Sequence, residues 1–256
     1  FLSSQFRSSW DLKEVNKYFI DSPFLALQGR LFNTTSYSGN IAFSSQFKKM
    51  FLNADHKSNV KLNNVRFNYQ KSPLKFTFET IDCKIEQHKI LVNSCNSNIS
   101  ESDFYFKGET LNLIPYILNQ APKIYVNGDI KSTYINLSEL IPLSDVSKEA
   151  NKNTPKTTII KDWMDANTNI EIKKLSYKNF TAYDLTGGMT YINKEINGRN
   201  LNARSLNGNI DGEFTLSESK EKNIKLTSKV KLKKINIQNS FGAFNNYGQK
   251  VITKEQ

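Results

Sequence analysis

Single-residue alternation of apolar and polar side chains is the feature that most constrains this chain. In VKLNNVRFNYQKSPLKFTFETIDCKI, residues 60–85, apolar residues take every second position in several short runs. Because successive side chains of a strand point to opposite faces, each run predicts a half-buried β-strand. The runs end at Asn, Ser, Gly or Lys, so we expect a mainly β protein built as an antiparallel meander. The same pattern continues in residues 170–177, 189–191, 206–216, 224–232 and 235–237.

Two local departures from the alternation predict bends in the strands. The phase slips by one residue at Asn63-Asn64, which is typical of a β-bulge. A four-residue motif recurs in the chain, in the order apolar, polar, glycine, polar. This weak internal repeat predicts repeated strands that bend at a glycine. Its instances are Phe106-Lys107-Gly108-Glu109, Val126-Asn127-Gly128-Asp129 and Leu206-Asn207-Gly208-Asn209, with Gln28-Gly29-Arg30-Leu31 as a further candidate.

Helices are predicted to be few and short. Residues 137–141 follow Asn136, a favoured N-cap residue, and carry Ser138 and Glu139 where a first helical turn accepts them well. The full set of candidates is residues 11–19, 111–119, 137–141, 159–165 and 239–246.

Residues 142–158 are almost free of apolar side chains and consist mainly of Ser, Asp, Lys, Asn, Thr and Pro. Such a composition predicts a polar linker. It divides the chain into a β section with short helices, residues 1–141, and a second β section, residues 159–256, which we expect to be truncated at its carboxy-terminal end.

The residues that catalysis requires are scarce. A catalytic site usually combines a nucleophile, a base and an orienting group. His56 and His88 each lie in a polar, turn-like context, and we expect both on the solvated surface. Gly187-Gly188 follows no strand-to-helix phosphate motif, and Asp162 and Asp165 are predicted on the exposed side of a short helix. The sequence therefore predicts a noncatalytic protein without a cofactor or a metal site.

Cys83 and Cys95 flank a hairpin turn that is predicted at residues 87–89. In an oxidising compartment a cross-strand disulfide is one interpretation of this spacing. Two buried free thiols are the other, and the sequence leaves both open.

The formal charge of +11 raises the question of nucleic acid or an anionic membrane as a partner. The lysines are spread along the chain and often alternate with apolar residues, as in Lys229-Val230-Lys231-Leu232-Lys233. This distribution favours solvated strand faces that resist edge-to-edge pairing. No recognisable nucleic-acid-binding module accompanies the charge, so we expect no nucleic-acid partner.

A sheet of many strands must cover its apolar face, and a few short helices cannot cover all of it. A second sheet, closure into a barrel, or an apolar ligand would each provide the cover. Periodicity alone favours a sandwich or a closed barrel. The third solution suits a lipid, since a 16-carbon acyl chain would gain on the order of 12 kcal/mol gross at about 0.8 kcal/mol per buried CH₂.

Several segments, taken in order, resemble the AsmA-like family of bacterial envelope proteins in the form typical of Bacteroidota. They are SDFYFKGETLNLIPYIL (102–118), VNGDIKSTYINLSELI (126–141), NTNIEIKKLSYKNFTAYDLTGGMTY (167–191), LNGNIDGEFTL (206–216) and SFGAFNNYGQKVIT (240–253). In the last of these, Tyr247 stands where the family usually has Phe. The resemblance covers residues 25–256.

The resemblance implies a long sheet curled into an open groove or half-pipe with a few short capping helices, related to bridge-like lipid transfer proteins. It further implies a membrane-anchored protein in the periplasm of the cell envelope, with a role in phospholipid transport and outer-membrane homeostasis. Phe1 is not a natural start, so we expect this chain to be a section of a longer protein whose membrane segment lies elsewhere.

On this interpretation the chain is a lipid-binding or lipid-transfer module, with lysines and arginines on the rim meeting headgroups. The alternative is a structural or assembly scaffold whose apolar face packs on an outer-membrane protein. The residues predicted to face the acyl chains are Phe76, Phe78, Phe104, Phe106, Val126, Ile130, Ile170, Ile172, Met189, Tyr191, Ile210, Phe214 and Leu216.

Overall fold

The computed structural model describes residues 2–17, 24–39, 54–69, 73–117, 120–140, 162–218 and 224–243. These residues form a mainly β protein with a few short helices. The strands are β1 Leu2–Asp11, β2 Phe24–Gly39, β3 Asp55–Tyr69, β4 Lys75–Glu86, β5 Lys89–Ile99, β6 Ser102–Leu111, β7 Ile124–Ser132, β8 Ile135–Asn136, β9 Met164–Tyr177, β10 Phe180–Ile192, β11 Glu195–Ser205, β12 Gly208–Glu218 and β13 Ile224–Lys233. The helices are α1 Leu12–Asn16, α2 Leu113–Ile117, α3 Leu137–Leu140 and α4 Ile237–Ala243.

The strands belong to one 13-stranded sheet whose order follows the chain from β1 to β13. Only β8 leaves this path, and it pairs with β9 in parallel. The predicted antiparallel meander is therefore confirmed. The strand order has two ends and the described strands form no second sheet, so the preference for a sandwich or a closed barrel is wrong. Periodicity identifies the apolar face of a strand but does not determine what covers that face.

The described residues divide into two compact units. The first unit contains the described residues up to 100, together with 104–129 and 163–165. The second contains 101–103, 130–140, 162 and the described residues from 166 onward. The polar linker predicted at 142–158 lies outside the described residues, so the division of the chain at that point stays a prediction.

The bulge predicted at Asn63-Asn64 is present. Asn64 adopts a φ of 52°, and the register of β3 against β2 shifts by one between the pairs Arg30–Asn63 and Gln28–Arg66. Gly29, with a φ of 124°, lies at the same shift. A Cβ at Gly29 would stand 2.8 Å from the Val65 Cα atom, so the bulge requires glycine both for its backbone angle and for the close approach.

Three of the predicted helices contain α1, α2 and α3, and α4 begins two residues before the predicted residue 239. The Asn136 side chain caps α3 as expected, because its Oδ1 atom accepts a hydrogen bond of 3.1 Å from the Ser138 amide. The helix predicted over 159–165 is wrong in its described part, residues 162–165. Met164 begins β9, and the Trp163 carbonyl accepts a hydrogen bond from the Ile124 amide at 3.1 Å.

Candidate functional site: the apolar sheet faces

In the second unit, strand register gathers apolar side chains on one face. Directly opposite residues of antiparallel strands share a face. Met189 lies opposite Thr168 of β9 and Gly198 of β11, and Tyr191 lies opposite Ala166 and Ile196. Side chains two residues apart in a strand also share a face, which ties these positions into one surface across three strands.

The same surface continues across β9 and β12. Ile170 and Ile172 lie opposite Gly187 and Leu185 of β10. Phe214 lies opposite Gly198, and the register between β12 and β13 has no shift. The predicted lipid-facing residues of this unit on β9 to β12 therefore share one face. They are Ile170, Ile172, Met189, Tyr191, Ile210, Phe214 and Leu216. We call this surface the second apolar face.

Most of the second apolar face is only half-buried. Ile172, at 5% exposure, is buried, whereas the six other predicted residues are of intermediate exposure. A closed hydrophobic core would bury most of these side chains. The second apolar face thus keeps part of its apolar surface accessible.

A glycine beneath an aromatic ring shapes the middle of this face. A Cβ atom at Gly198 would stand 2.7 Å from the Phe214 Cδ1 atom and 2.7 Å from the Leu201 Cδ1 atom. Both distances are shorter than a van der Waals contact. The absence of a side chain at Gly198 therefore lets Phe214 lie against the neighbouring strand.

The opposite side of the same strands is polar. Thr215 Oγ1 donates to Asn197 Oδ1 at 2.6 Å, and Arg199 donates to Asn167 Oδ1 at 3.1 Å. A shallow concavity of about 450 Å³ on this side has Arg199, Glu213 and Lys229 in its lining. Its charges are mixed, so it offers no concentrated site for an anion or a cation.

Lys131 and Glu171 add an exposed ion pair to the second unit. The Lys131 Nζ atom donates to Glu171 Oε2 at 2.7 Å. This hydrogen bond, together with the lysine charge, holds the pKa of Glu171 below its usual range. Because both side chains are exposed, the ion pair contributes little to stability.

In the first unit, four phenylalanines from three strands form an aromatic cluster. The ring centroid of Phe67 lies 5.1 Å from that of Phe76 and 6.0 Å from that of Phe78, in stacked arrangements. Phe24 approaches Phe67 edge-on at 5.0 Å. Cross-strand aromatic pairs of this kind stabilise a sheet beyond the area that they bury. Phe76 and Phe78, both predicted lipid-facing residues, are thus on one face.

This face continues along β4 past two bulges. Phe78 lies opposite Ser97 and Ile81 lies opposite Cys95, two positions that share a face of β5. Ile81 and Cys83 then share a face of β4. The bulges at Phe78–Thr80 and Asp82–Cys83 therefore leave the apolar side chains on one surface, which we call the first apolar face.

Phe104 and Phe106 of β6 also belong to the first apolar face, because Phe106 packs on the cluster around Cys83. Its ring lies over two glycines: a Cβ at Gly108 would stand 2.9 Å from Phe106 Cζ, and one at Gly128 would stand 2.9 Å from Phe106 Cε2. The glycine motif in the sequence thus corresponds to two glycines that face each other under one aromatic ring. Val126, two residues before Gly128, lies on the same face.

Helix α2 covers part of the first apolar face. Cys83, Ile90 and Val92 form a buried cluster. Beside it, the Asn112 amide donates to the His88 carbonyl at 2.9 Å, which fixes the start of the helix against the β4–β5 turn. Leu113 and Ile114 of α2 therefore lie on this face of the first unit. The side chains packed around the cluster are Val60, Ile85, Cys95, Phe106, Leu113 and Ile114.

Ile130, the remaining predicted lipid-facing residue, lies on β7 in the second unit. It is half-buried and alternates with the exposed residues Asp129 and Lys131. It shares a face of its own strand with Gly128 and Val126. Its contact with a lipid stays a prediction.

The cysteines are free thiols. Burial raises the pKa of the Cys83 thiol to about 11, with smaller contributions from Asp82 and Cys95. Burial also raises the pKa of Cys95. A thiol with a raised pKa is a poor nucleophile at neutral pH. The arrangement suits structural cysteines of a hydrophobic cluster.

The expectation that His56 is a solvated surface residue is wrong. Its side chain is 3% exposed, and its Nδ1 atom lies 3.3 Å from the Ala54 carbonyl oxygen. His56 pairs with Tyr37 of β2 and shares strand parity with Val60, which is the signal that could have identified it as inward-facing. His88 lies in the exposed turn, as predicted.

Asp103 is a structural residue that sequence reasoning missed. Its side chain joins the start of β6 to the turn after β7, and the Asp103 amide donates to the Tyr134 carbonyl at 3.1 Å. Burial alone would raise the pKa of Asp103, but the hydrogen bonds that it accepts lower it below the usual range. They come from the Thr133 amide at 2.9 Å, Thr133 Oγ1 at 2.8 Å, the Tyr134 amide at 2.7 Å and Ser132 Oγ at 3.3 Å.

Ser102, beside Asp103, is fully buried, and its Oγ atom accepts a hydrogen bond of 2.9 Å from the Asn136 amide. The two neighbouring side chains together fix the turn that precedes α3.

The sequence predicts Asp162 and Asp165 on a short helix, and this prediction is wrong because neither residue is helical. Asp165 belongs to β9, and its Oδ1 atom lies 3.3 Å from Lys123 Nζ. Both side chains of this ion pair are largely buried. The aspartate therefore serves an ion pair within the first unit.

Among the described residues, no group of three or more His, Cys, Asp and Glu side chains is arranged to hold a metal ion. None of the helices in the described ranges has the length and hydropathy needed to span a membrane. Comparisons with protein-family models, with curated proteins and with solved structures find no match for this chain.

Proposed function

We propose that this chain is a noncatalytic lipid-binding or lipid-transfer module that holds acyl chains on its apolar sheet faces. The observation that carries the proposal is the second apolar face. Strand register places side chains of β9 to β12 on one surface, and most of them remain half-buried. Contiguous apolar surface of this kind is rare on a soluble protein unless something binds there.

The chemistry of the face suits an acyl chain. Isoleucine, methionine, phenylalanine and leucine offer contact without fixed polar groups, and an acyl chain has none to satisfy. Each CH₂ removed from water contributes about 0.8 kcal/mol, so a chain of ordinary length offsets the cost of ordering it. Met189 in the centre adapts its side chain to an irregular ligand.

The biological setting in this proposal rests on the resemblance to the AsmA-like family. On that basis the module belongs to a bacterial envelope protein, works on the periplasmic side, and contributes to phospholipid transport and outer-membrane homeostasis. The curled groove and the membrane anchoring of a longer protein belong to the same part of the proposal.

The test is lipid retention by matched variants. Met189→Glu places a charge on the second apolar face, whereas Thr190→Glu places the same charge one residue away on the opposite face. Native mass spectrometry and lipid extraction of protein purified from bacteria would measure bound phospholipid. A fluorescent acyl lipid would measure uptake.

We expect wild type and Thr190→Glu to carry phospholipid and Met189→Glu to lose it, with unchanged circular dichroism in all three. Lipid-free wild-type protein that takes up no fluorescent lipid would contradict the proposal and favour the scaffold alternative, in which the apolar face packs on a protein. Equal lipid uptake by the two variants would show that the lipid does not bind on the second apolar face.

A further inference from the structure

Strand β13 ends the sheet with a regular edge. Its register with β12 runs without a shift from Asn209–Lys233 to Glu218–Ile224, and every one of its 10 residues is exposed. No strand of the described ranges pairs with its second edge. A long strand without a bulge or a proline presents a row of main-chain donors and acceptors to a further strand.

The side chains of β13 divide by face into two chemical classes. Leu226, Val230 and Leu232 point to the second apolar face and are 63%, 52% and 55% exposed. The opposite face is basic. Its lysines are Lys225, Lys229, Lys231 and Lys233.

Part of this basic charge is unmatched within the sheet. Lys229 lies opposite Glu213 and Lys231 lies opposite Asp211, so the four lysines face two carboxylates of β12. Lys233 forms an ion pair with Asp211 of β12 at 2.8 Å, and this interaction lowers the pKa of Asp211. Lys225 and Lys229 form no ion pair with the described residues. The basic face of the edge can therefore pair with carboxylates supplied from outside.

The same charges disfavour a second copy of this chain as the occupant. Two copies of β13 paired edge to edge as antiparallel strands of one continuous sheet would place like faces side by side. Lysines would then lie opposite lysines, and like charges directly opposite each other are destabilising. A partner strand with carboxylates on that face would instead meet opposite charges.

We propose that the open edge of β13 is a docking site for an extended segment of a partner protein, apolar on one face and acidic on the other. The segment adds a strand to the sheet through main-chain hydrogen bonds. Its acidic residues lie beside the lysines of β13, and its apolar residues extend the second apolar face. This inference does not depend on lipid binding.

The experiment measures binding of a fluorescein-labelled peptide of about 10 residues in which valine and glutamate alternate, a length that matches β13. A second peptide replaces glutamate with lysine. Two further peptides keep the valine and glutamate side chains but carry N-methyl groups at alternate residues. One is methylated at the odd positions and the other at the even positions, so each lacks hydrogen-bond donors along one of its two edges. Fluorescence anisotropy with the full chain gives the affinities.

We expect saturable binding of the glutamate peptide, and binding at least about ten-fold weaker for the lysine peptide and for the N-methylated peptide whose blocked edge meets β13. Lys229→Glu combined with Lys231→Glu should weaken binding of the glutamate peptide by about ten-fold or more. The matched variant, Lys84→Glu with Lys107→Glu, changes the same charge at exposed strand lysines of the first unit and should leave the affinity unchanged.

Amide hydrogen exchange locates the bound peptide. Binding should slow exchange at alternate residues of β13 and leave the amides of β4 unaffected. Protection of these β13 amides in the free protein would show that the edge is already covered and would overturn the proposal. Equal binding of the glutamate, lysine and N-methylated peptides, or no saturable binding below about 1 mM, would overturn it as well.

Lipid uptake by the same variants separates this inference from the proposed function. If the glutamate peptide does not bind but lipid uptake is normal, the docking site is contradicted and the proposed lipid function is not. If the peptide binds but the protein takes up no lipid, the lipid function is contradicted and the docking site is not.

Discussion

The two units use the same strand chemistry but treat their apolar faces differently. In the first unit, α2 lies on the face, where Leu113 and Ile114 pack on the cluster of Cys83, Ile90 and Val92. In the second unit, the predicted residues between Ile170 and Leu216 remain mostly half-buried. Alternation of apolar and polar residues therefore does not by itself produce a closed core. A buried cluster forms where α2 lies on the sheet, whereas the five predicted lipid-facing residues of the first unit stay as half-buried as the second apolar face.

Glycine substitution should reveal this contrast most strongly. A Cβ at Gly128 would stand 2.8 Å from the Gly108 Cα atom, 2.9 Å from the Phe106 ring, and closer still to the Lys107 carbonyl oxygen. Because backbone atoms cannot move aside cheaply, we expect Gly128→Ala to lower the free energy of unfolding by about 3 kcal/mol. Urea unfolding followed by circular dichroism measures the change.

Gly188 of the second unit is the matched control, since a Cβ there would meet its nearest neighbour, an Arg199 side-chain atom, at 3.8 Å. Gly188→Ala should change the free energy of unfolding by less than about 1 kcal/mol. Equal losses in the two variants would show that the close glycine pair is not a special feature of the first unit.

The next effect concerns Asp103, whose carboxylate fixes a turn of the second unit. Asp103→Ala removes the acceptor of several hydrogen bonds, so we expect a loss of about 2 kcal/mol in the free energy of unfolding at pH 7. Because the folded-state pKa of Asp103 is lowered, the carboxylate stabilises the fold above its unfolded-state pKa. That contribution is lost as the pH falls through the folded-state pKa.

Urea unfolding of wild type and variant between pH 7 and pH 2 measures this dependence. The difference between the two proteins should shrink on acidification. Glu86→Ala, at an exposed carboxylate of β4, provides the control. A difference that is independent of pH would mean that the Asp103 charge does not contribute.

Removing the helix contact should make the first unit resemble the second. Leu113→Ala truncates a half-buried side chain on the cluster, and we expect it to cost about 1 to 2 kcal/mol. It should also raise the fluorescence of a bound apolar dye, because part of the first apolar face becomes accessible. Leu111→Ala, at an exposed position just before the helix, should change neither quantity. Unchanged dye binding in Leu113→Ala would contradict the covering role of α2.

How far the sequence predicts these differences depends on the range of the interactions involved. Strand parity is local, so the slip at Asn63-Asn64 predicts a bulge that the structure contains. The contact between Phe214 and Gly198 requires the register of two strands, which composition does not specify. His56 was misplaced because its polar neighbours outweighed its shared parity with Val60.

The wrong helix and the missed turn have related causes. Residues 159–165 contain apolar residues at helical spacing, but the Trp163 carbonyl accepts a hydrogen bond from Ile124, a residue distant in sequence. Asp103 alternates with apolar residues like any solvated strand residue, and only the turn at 132–134 gives it a role. In both cases the local structure depends on residues that are distant in sequence. A single sequence does not show which distant residues will be neighbours in the fold.

The smallest expected effect tests whether the covered face tolerates a buried polar atom. The Thr110 Oγ1 atom is buried at the end of β6 without a hydrogen-bond partner. Thr110→Val keeps the shape and removes the unsatisfied hydroxyl, so we expect a gain of about 0.5 to 1 kcal/mol in the free energy of unfolding. Thr110→Ser, which keeps the hydroxyl, should not show this gain.

Thr168→Val, opposite Met189 on the second apolar face, should gain less, because its hydroxyl is not among the buried unsatisfied groups. Thermal and urea unfolding measure all three variants, and destabilisation by Thr110→Val would show that the hydroxyl is bonded.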